Sequence, residues 1–152
     1  IIEFGTSLGI SAIYMASGCP EALVFTIEGC PETGRLAQEN FNDAGLTNIK
    51  IMNGSFEAFL PEFKNMNLRP GLVFIDGNHR KEPLMKYFNT MADISTSDTV
   101  VVIDDIHCSE EMENAWGNIK QHQNVTFTID IFRMGMVFFR GGMQHIDYTI
   151  RY

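Results

Sequence analysis

The sequence of 152 residues has few cysteines, few basic residues and no long apolar run. Its three cysteines, at positions 19, 30 and 108, form no CxxC pair, which argues against a zinc cluster and indicates a reducing, cytoplasmic compartment. Lysine and arginine number 11 against 19 aspartates and glutamates, a formal charge of −8, which disfavours nucleic-acid binding because that requires a basic face. No apolar run approaches the roughly 20 residues of a membrane helix, so we expect no membrane partner.

What remains is the composition of an ordinary globular protein, with 45% hydrophobic and 20% charged residues. This length predicts one domain over residues 1–152. The chain opens on Ile1, inside an apolar segment typical of a core strand, so we expect no signal peptide and infer that an N-terminal segment is missing.

Strands and helices alternate along the chain. Seven short apolar segments predict strands, at residues 1–5, 22–28, 49–52, 71–75, 99–103, 127–132 and 136–140. Helical spacing follows each of the first five, and only 133–135 separate the last two, which must therefore be antiparallel. The predicted fold is α/β: a Rossmann-like, doubly wound sheet, mostly parallel, of seven strands with the last antiparallel.

Two helices show clear sequence signals. The first is predicted over residues 7–17, with Ile10, Ile13 and Tyr14 on one stripe. The last is predicted to begin after Ser109 as its N-cap, with Trp116 on its buried side.

Each of the first five strands ends in small or polar residues, and parallel strands bring these ends to one edge, where such sheets bind ligands. The five ends are Gly5, Glu28, Asn53-Gly54-Ser55, Asp76-Gly77-Asn78-His79 and Asp104-Asp105. The turn from Gly5 to Gly9 would let backbone amides approach a ligand closely. Glu28 follows Gly5 by 23 residues, a spacing that suits a carboxylate accepting both hydroxyls of a ribose.

Two other motifs match this turn. GTSLG fits the G-x-S-x-G nucleophile elbow, with Ser7 as the nucleophile. That reading leaves Glu28 and the antiparallel ending without a role. A dinucleotide fingerprint, which would make the chain an NAD-binding oxidoreductase, requires a central glycine where Ser7 stands, and its spacing here is one residue short.

The ordered stretches IIEFGTSLGISAIYMA, FTIEGCPETGRLAQENFNDAG, NGSF, LVFIDGNH and TVVVIDDIH resemble class I S-adenosylmethionine-dependent methyltransferases. The chain looks most like the small-molecule O-methyltransferases of the catechol O-methyltransferase type, over about residues 1–140. The resemblance implies an S-adenosylmethionine cofactor and a small-molecule hydroxyl acceptor. The alternative is a domain that binds the cofactor without turnover.

The resemblance also assigns residues. Glu3 and the loop Gly5, Thr6, Ser7 and Gly9 would surround the methionyl end, and Ser11 would bind its carboxylate. Glu28, with Gly29, would hold the ribose, while Gly54, Ser55 and Phe56 would contact the adenine. Asp76 would lie near the sulfonium and also face a metal. Asp104 and Asp105 match an Asp-Asn pair that completes the family's cation site, and His79 falls where the family has a general-base lysine.

The chemistry of these side chains agrees with that assignment. Asp76, Asp104 and Asp105 should converge on neighbouring strands, where three carboxylates repel one another unless a cation neutralises them or one of them is protonated. Oxygen ligands suit Mg²⁺ or another divalent cation, which would favour ionisation of a substrate hydroxyl. His79 would take that proton near neutral pH, and His107 is a further candidate ligand or base. The terminal hairpin offers an edge for a second copy, so we include a homodimer among the expected partners.

Overall fold

A computed structural model describes residues 1–142 and 144–151. They group into two compact units, Ile1–Asn65 and the chain from Met66 onward. The single domain stays a prediction. Within the described ranges, no helix combines the length and the apolar character that crossing a bilayer requires.

The first unit contains three strands and three helices in strict alternation. In chain order they are β1 (Ile2–Phe4), α1 (Ile10–Gly18), β2 (Val24–Glu28), α2 (Pro31–Asp43), β3 (Ile49–Asn53) and α3 (Phe56–Asn65). β2 pairs in parallel with both β1 and β3, in the order β3-β2-β1. Its first four residues are buried, as expected of a strand with both faces covered.

Helix α1 begins later than predicted and buries a different face. Gly9 is its N-cap in the left-handed conformation, with φ of 82°, so the helix begins at Ile10. Ala12 and Ala16 face the core, whereas Ile10 and Tyr14 are 56% and 77% exposed, so the part of the predicted stripe at these two residues faces solvent. Small residues are what the packing allows, because the ring of Phe41 on α2 lies against the start of α1.

The second unit contains five strands and two helices within its described residues. They are β4 (Leu72–Ile75), α4 (Lys81–Ile94), β5 (Val100–Asp104), α5 (Glu110–Lys120), β6 (Phe127–Asp130), β7 (Met134–Phe138) and β8 (Ile146–Thr149). β4 and β5 are parallel, while β7 is antiparallel to both β5 and β6. The predicted hairpin is confirmed, although β7 begins two residues earlier than expected. At α5, the Ser109 hydroxyl caps the helix by accepting a hydrogen bond from the Met112 amide, as predicted.

β8 is an addition to the seven predicted strands. It pairs in parallel with β6 and is exposed throughout. The signal that we missed is the alternation of Ile146, Tyr148 and Ile150, whose side chains are 38%, 50% and 50% exposed.

Candidate functional site

The carboxyl ends of β1, β2 and β3 lie at one edge of the first unit, because the three strands are parallel and paired in register. The predicted cofactor residues of this unit lie on these strands or on the segments that follow them: Glu3, Gly5, Thr6, Ser7, Gly9, Ser11, Glu28, Gly29, Gly54, Ser55 and Phe56. In the second unit, β4 and β5 are likewise parallel. Within each unit the prediction that these strand ends share an edge is therefore confirmed.

The loop after β1 is a tight turn whose amides bind within the chain. The amides of Gly5 and Thr6 both donate to the Ile27 carbonyl, at 3.2 and 3.0 Å, and that of Gly9 donates to the Thr6 carbonyl at 2.8 Å. Positive φ angles at Gly5, Ser7 and Gly9 make this path possible. The amides of Gly5, Thr6 and Gly9 are thus used within the chain, and the approach of this loop to a ligand stays a prediction.

Glu28, at the end of β2, is held by two backbone amides. The Ser7 amide donates to one carboxylate oxygen and the Cys30 amide to the other, each at 2.9 Å. The side chain is half-buried, and each oxygen retains a second lone pair. Glu28 is therefore oriented from both sides while it can still accept hydrogen bonds from a ligand.

Beneath this loop lies a buried polar network around Glu3. The Ser11 hydroxyl and the Thr26 hydroxyl donate to the two carboxylate oxygens of Glu3, both at 2.5 Å. The hydroxyl of Thr6 lies 2.6 Å from that of Thr26. Glu3 and Thr6 are 0% and 1% exposed, so their position suits support of the loop, whereas Ser11 is half-buried.

The end of β3 lies beside the end of β2. The Gly54 amide donates to the Glu28 carbonyl at 2.8 Å, and a Cβ built on Gly29 would lie 4.0 Å from the Gly54 carbonyl oxygen. Ser55 is exposed next to them. Phe56 is half-buried and packs edge-on against Phe4, with ring centroids 5.5 Å apart. This segment combines a small backbone surface with an aromatic ring, a combination that suits a planar base.

In the second unit, acidic residues follow two paired strands. Ile75 is the register partner of Ile103, so Asp76 and Asp104 come next on adjacent strands. Burial raises the pKa of Asp76 above its ordinary value of 3.8, and the negative charges of Asp104 and Asp105 raise it further. These three carboxylates therefore interact electrostatically, as the sequence predicts.

The three carboxylates differ in their partners. Asp104 is 9% exposed, and its Oδ1 atom has no hydrogen-bond partner among the described residues. Asp105 has a positive φ of 54° and accepts a hydrogen bond from the Arg133 guanidinium at 3.1 Å. The Nε2 atom of His79 lies 3.6 Å from the Oδ1 atom of Asp76, an ion-pair distance that is too long for a good hydrogen bond.

The donor chemistry of these carboxylates fits a hard divalent cation, since all are oxygen ligands and one buried oxygen lacks a partner. Their arrangement is not preformed: among residues 1–142 and 144–151, no three His, Cys, Asp or Glu side chains are placed to hold a metal ion. The predicted metal residues Asp76, Asp104 and Asp105 are thus neighbours without being a ready ligand set.

Sequence reasoning missed a second polar network, around Asp130. This carboxylate, 8% exposed, accepts hydrogen bonds from the Phe132 amide at 2.9 Å and the Trp116 indole at 3.2 Å, and lies 2.9 Å from His107 Nε2. Burial raises the pKa of Asp130, but the hydrogen bonds outweigh it and the net pKa is lowered. The available signal was a buried tryptophan, whose N–H requires an acceptor.

The network holds the turn between β6 and β7. Phe132 has a positive φ of 71°, is 70% exposed and stacks on His107 with ring centroids 6.1 Å apart. A hollow of about 210 Å³ lies beside this turn, lined by Asp105, His107, Cys108, Phe132 and Arg133.

Comparison with known families assigns residues 2–106 to a family described as a methyltransferase domain. Among curated proteins, a catechol O-methyltransferase of Niastella koreensis is 33% identical over 109 residues, which are 70% of this chain and 48% of that protein. The chain spans less than half the length of the curated relatives it matches.

Solved structures share the fold. The O-methyltransferase TomG of Streptomyces achromogenes, in complex with SAM, superposes with a TM-score of 0.78 at 21% identity, covering 92% of this chain and 72% of that one. The O-methyltransferase of Bacillus cereus, in complex with SAH, superposes with a TM-score of 0.76 at 20% identity, covering 90% and 72%. These similarities confirm the predicted fold class, an α/β Rossmann-like fold with a mostly parallel sheet and an antiparallel strand.

Proposed function

The chain belongs to the methyltransferase domain family, and from this premise we propose that it transfers the methyl group of S-adenosylmethionine to a hydroxyl of a small molecule. A relative named as a catechol O-methyltransferase and fold neighbours solved with SAM or SAH support this proposal. The acidic charge of the chain agrees with a small-molecule acceptor and no nucleic-acid partner.

The observation that carries the proposal is the fixed carboxylate of Glu28. Amides of Ser7 and Cys30 orient it, and its remaining lone pairs suit the two hydroxyls of a ribose. Gly29 and Gly54 carry no side chain beside it, while Ser55 and Phe56 would border the adenine. Around the methionyl end, Gly5, Ser7, Gly9 and Ser11 would line the cofactor, with Glu3 and Thr6 holding the loop from below.

For the transfer itself we assign His79 as the general base. The acceptor hydroxyl gives its proton to the imidazole, and the oxygen then attacks the cofactor methyl group in line. A C–O bond forms as the C–S bond breaks, which leaves a neutral thioether. Asp76, 3.6 Å from His79, would stabilise the protonated imidazole and lie near the reacting sulfonium. No covalent enzyme intermediate is required, so positioning supplies most of the rate.

Asp76, Asp104 and Asp105 would hold a divalent cation such as Mg²⁺. A cation bound there would lower the pKa of the acceptor hydroxyl and fix its orientation. The partnerless oxygen of Asp104 supports this role, because a buried carboxylate oxygen without a hydrogen bond costs about 1–3 kcal/mol.

The test is isothermal titration calorimetry with S-adenosylmethionine and S-adenosylhomocysteine, with NAD as the comparison ligand. We expect micromolar binding of both sulfur nucleosides and none of NAD. Transfer of labelled methyl groups to a panel of small hydroxyl compounds then separates an enzyme from a domain that only binds. Binding of NAD in place of S-adenosylmethionine would refute the proposal.

We further propose that the protein acts in the cytoplasm, which its three free, exposed cysteines support.

The exposed strand β8, paired with β6, is the edge that we propose for a homodimer. Sedimentation equilibrium of the wild type and Thr149→Pro tests it. The amides of Ile146 and Ile150 donate to β6, so the Thr149 amide faces the open edge, where proline would remove a backbone donor.

A further inference from the structure

Hydrogen bonds of its side chain and its backbone fix Arg133 beside the acidic residues that follow β5. Its guanidinium donates to the Asp105 carboxylate at 3.1 Å. Its backbone is fixed as well: its carbonyl accepts from the Ile106 amide at 3.2 Å, and its amide donates to the Ile131 carbonyl at 2.9 Å. The turn that carries Arg133 is therefore attached directly to the segment that follows Asp105.

The conformation of this turn is costly, which indicates that it is specified by the surrounding structure. Phe132 adopts a positive φ of 71°, a region that bulky side chains rarely occupy. The buried carboxylate of Asp130 compensates by accepting the Phe132 amide at 2.9 Å. The strained turn places residue 132 outward in solvent and residue 133 beside Asp105.

The charges around Arg133 are unbalanced. The hydrogen bond and the charge of Asp105 raise the pKa of the guanidinium most, and the charges of Asp104 and Asp76 raise it further. Within residues 1–142 and 144–151, Asp105 is the residue whose side chain accepts a hydrogen bond from it, and the Asp104 Oδ1 atom has no partner there. One positive charge thus faces three carboxylates and withdraws one of them from the set proposed to bind a cation.

We infer that Arg133 is an internal competitor for Asp105, which weakens divalent-cation binding at Asp76, Asp104 and Asp105 until the guanidinium is displaced. This inference rests on the cation site of the proposed function. It explains why carboxylates that are neighbours do not form a ligand set among the described residues. The competition is accessible to a cation from solvent, because the Arg133 side chain is 66% exposed and bound to one partner.

The test measures Mn²⁺ binding by calorimetry in the wild type, Arg133→Gln and a matched control, Arg140→Gln. Arg140 is also exposed, but it lies beyond the opposite end of β7, roughly 20 Å away at about 3.3 Å per residue. We expect Arg133→Gln to bind Mn²⁺ about three- to tenfold more tightly, because it removes both the ion pair and a repelling charge. Arg140→Gln should stay within about twofold of the wild type, since salt screens charges at that distance.

A third variant, Asp105→Asn, tests whether the effect of Arg133 depends on its ion pair with Asp105. In this background Arg133→Gln should have a smaller effect on Mn²⁺ affinity, because the guanidinium no longer has a carboxylate to hold it at the site. An Arg133→Gln variant that binds Mn²⁺ as the wild type does, or more weakly, would overturn the inference and leave the cation site standing. Absence of Mn²⁺ binding in every variant, with S-adenosylmethionine still bound, would refute the cation site and this inference but not the methyltransferase.

Discussion

Replacement of Glu28 by glutamine is the sharpest test of the first unit, because it changes the charge and the donor pattern while preserving size. The wild-type carboxylate accepts the Ser7 and Cys30 amides on its two oxygens. A glutamine has one oxygen and one NH₂ group, so its NH₂ must face one of these N–H donors. The variant side chain therefore rotates away from the position in which it could accept two ribose hydroxyls.

The magnitude follows from those bonds. A hydrogen bond to a charged acceptor contributes about 1.5–3 kcal/mol. Glu28→Gln loses the charge in both proposed ribose bonds and one acceptor outright, so we expect a loss of about 3 kcal/mol in S-adenosylmethionine binding. At about 1.4 kcal/mol per factor of ten, that is roughly a hundredfold increase in Kd.

Calorimetry with S-adenosylmethionine measures this change, and Glu21→Gln is the matched control. Glu21 is exposed and precedes β2, whereas Glu28 ends that strand. We expect Glu21→Gln to bind as the wild type does and Glu28→Ala to abolish detectable binding. Circular dichroism must show that each variant is folded. A folded Glu28→Gln with wild-type affinity would refute the assignment of Glu28 to the ribose.

Three further predictions concern other positions. His79→Ala should bind S-adenosylmethionine within about twofold of the wild type but lose about a hundredfold or more in kcat; full activity would refute the base assignment. Gly9→Ala should lower the free energy of unfolding in urea by about 1–3 kcal/mol, because the Gly9 φ is 82° and an added Cβ would lie 2.3 Å from Phe41 Cε1. The control is Gly18→Ala, which should leave the stability unchanged because nothing lies within 4 Å of a Cβ at Gly18. The raised pKa of Asp76 means that its ionisation opposes folding, so in chelated buffer the wild type should lose stability relative to Asp76→Asn as pH rises above 3.8, and an unchanged difference would contradict this.

The strands β1 to β7 could be predicted because their signal is local, whereas β8 was missed. β2 and β5 are rich in apolar and β-branched residues, which is the composition expected of strands inside a parallel sheet. The cap of α5 is equally local, since the Ser109 hydroxyl bonds to an amide three residues ahead. The predicted start of α1 was wrong for a tertiary reason, because the ring of Phe41, 32 residues beyond Gly9, excludes a side chain at Gly9.

The candidate site divides in the same way. Its residues could be located from strand ends, because parallel strands deliver those ends to one edge. The hydrogen-bond partners of those residues could not be predicted from the sequence. Asp130 accepts a hydrogen bond from the Trp116 indole, 14 residues away, and contacts His107, which precedes Asp130 by 23 residues. The same holds for Arg133, which is 28 residues from Asp105. No periodicity relates such positions, and only the folded hairpin between β6 and β7 brings them together.

The electrostatics of the second unit also argue for a positively charged ligand. Asp104 is nearly buried, and its Oδ1 atom has no hydrogen-bond partner in the part of the chain that the structure describes. Burial raises the pKa of Asp76, and the charges of Asp104 and Asp105 raise it further. Arg133 pairs with Asp105, but its own side chain is largely exposed, so solvent screens the pair and it stabilises the fold little. Folding alone therefore gains little from placing three carboxylates together. Binding of a sulfonium or a divalent cation would convert that unfavourable arrangement into affinity, which is the electrostatic reason to assign this strand end to catalysis.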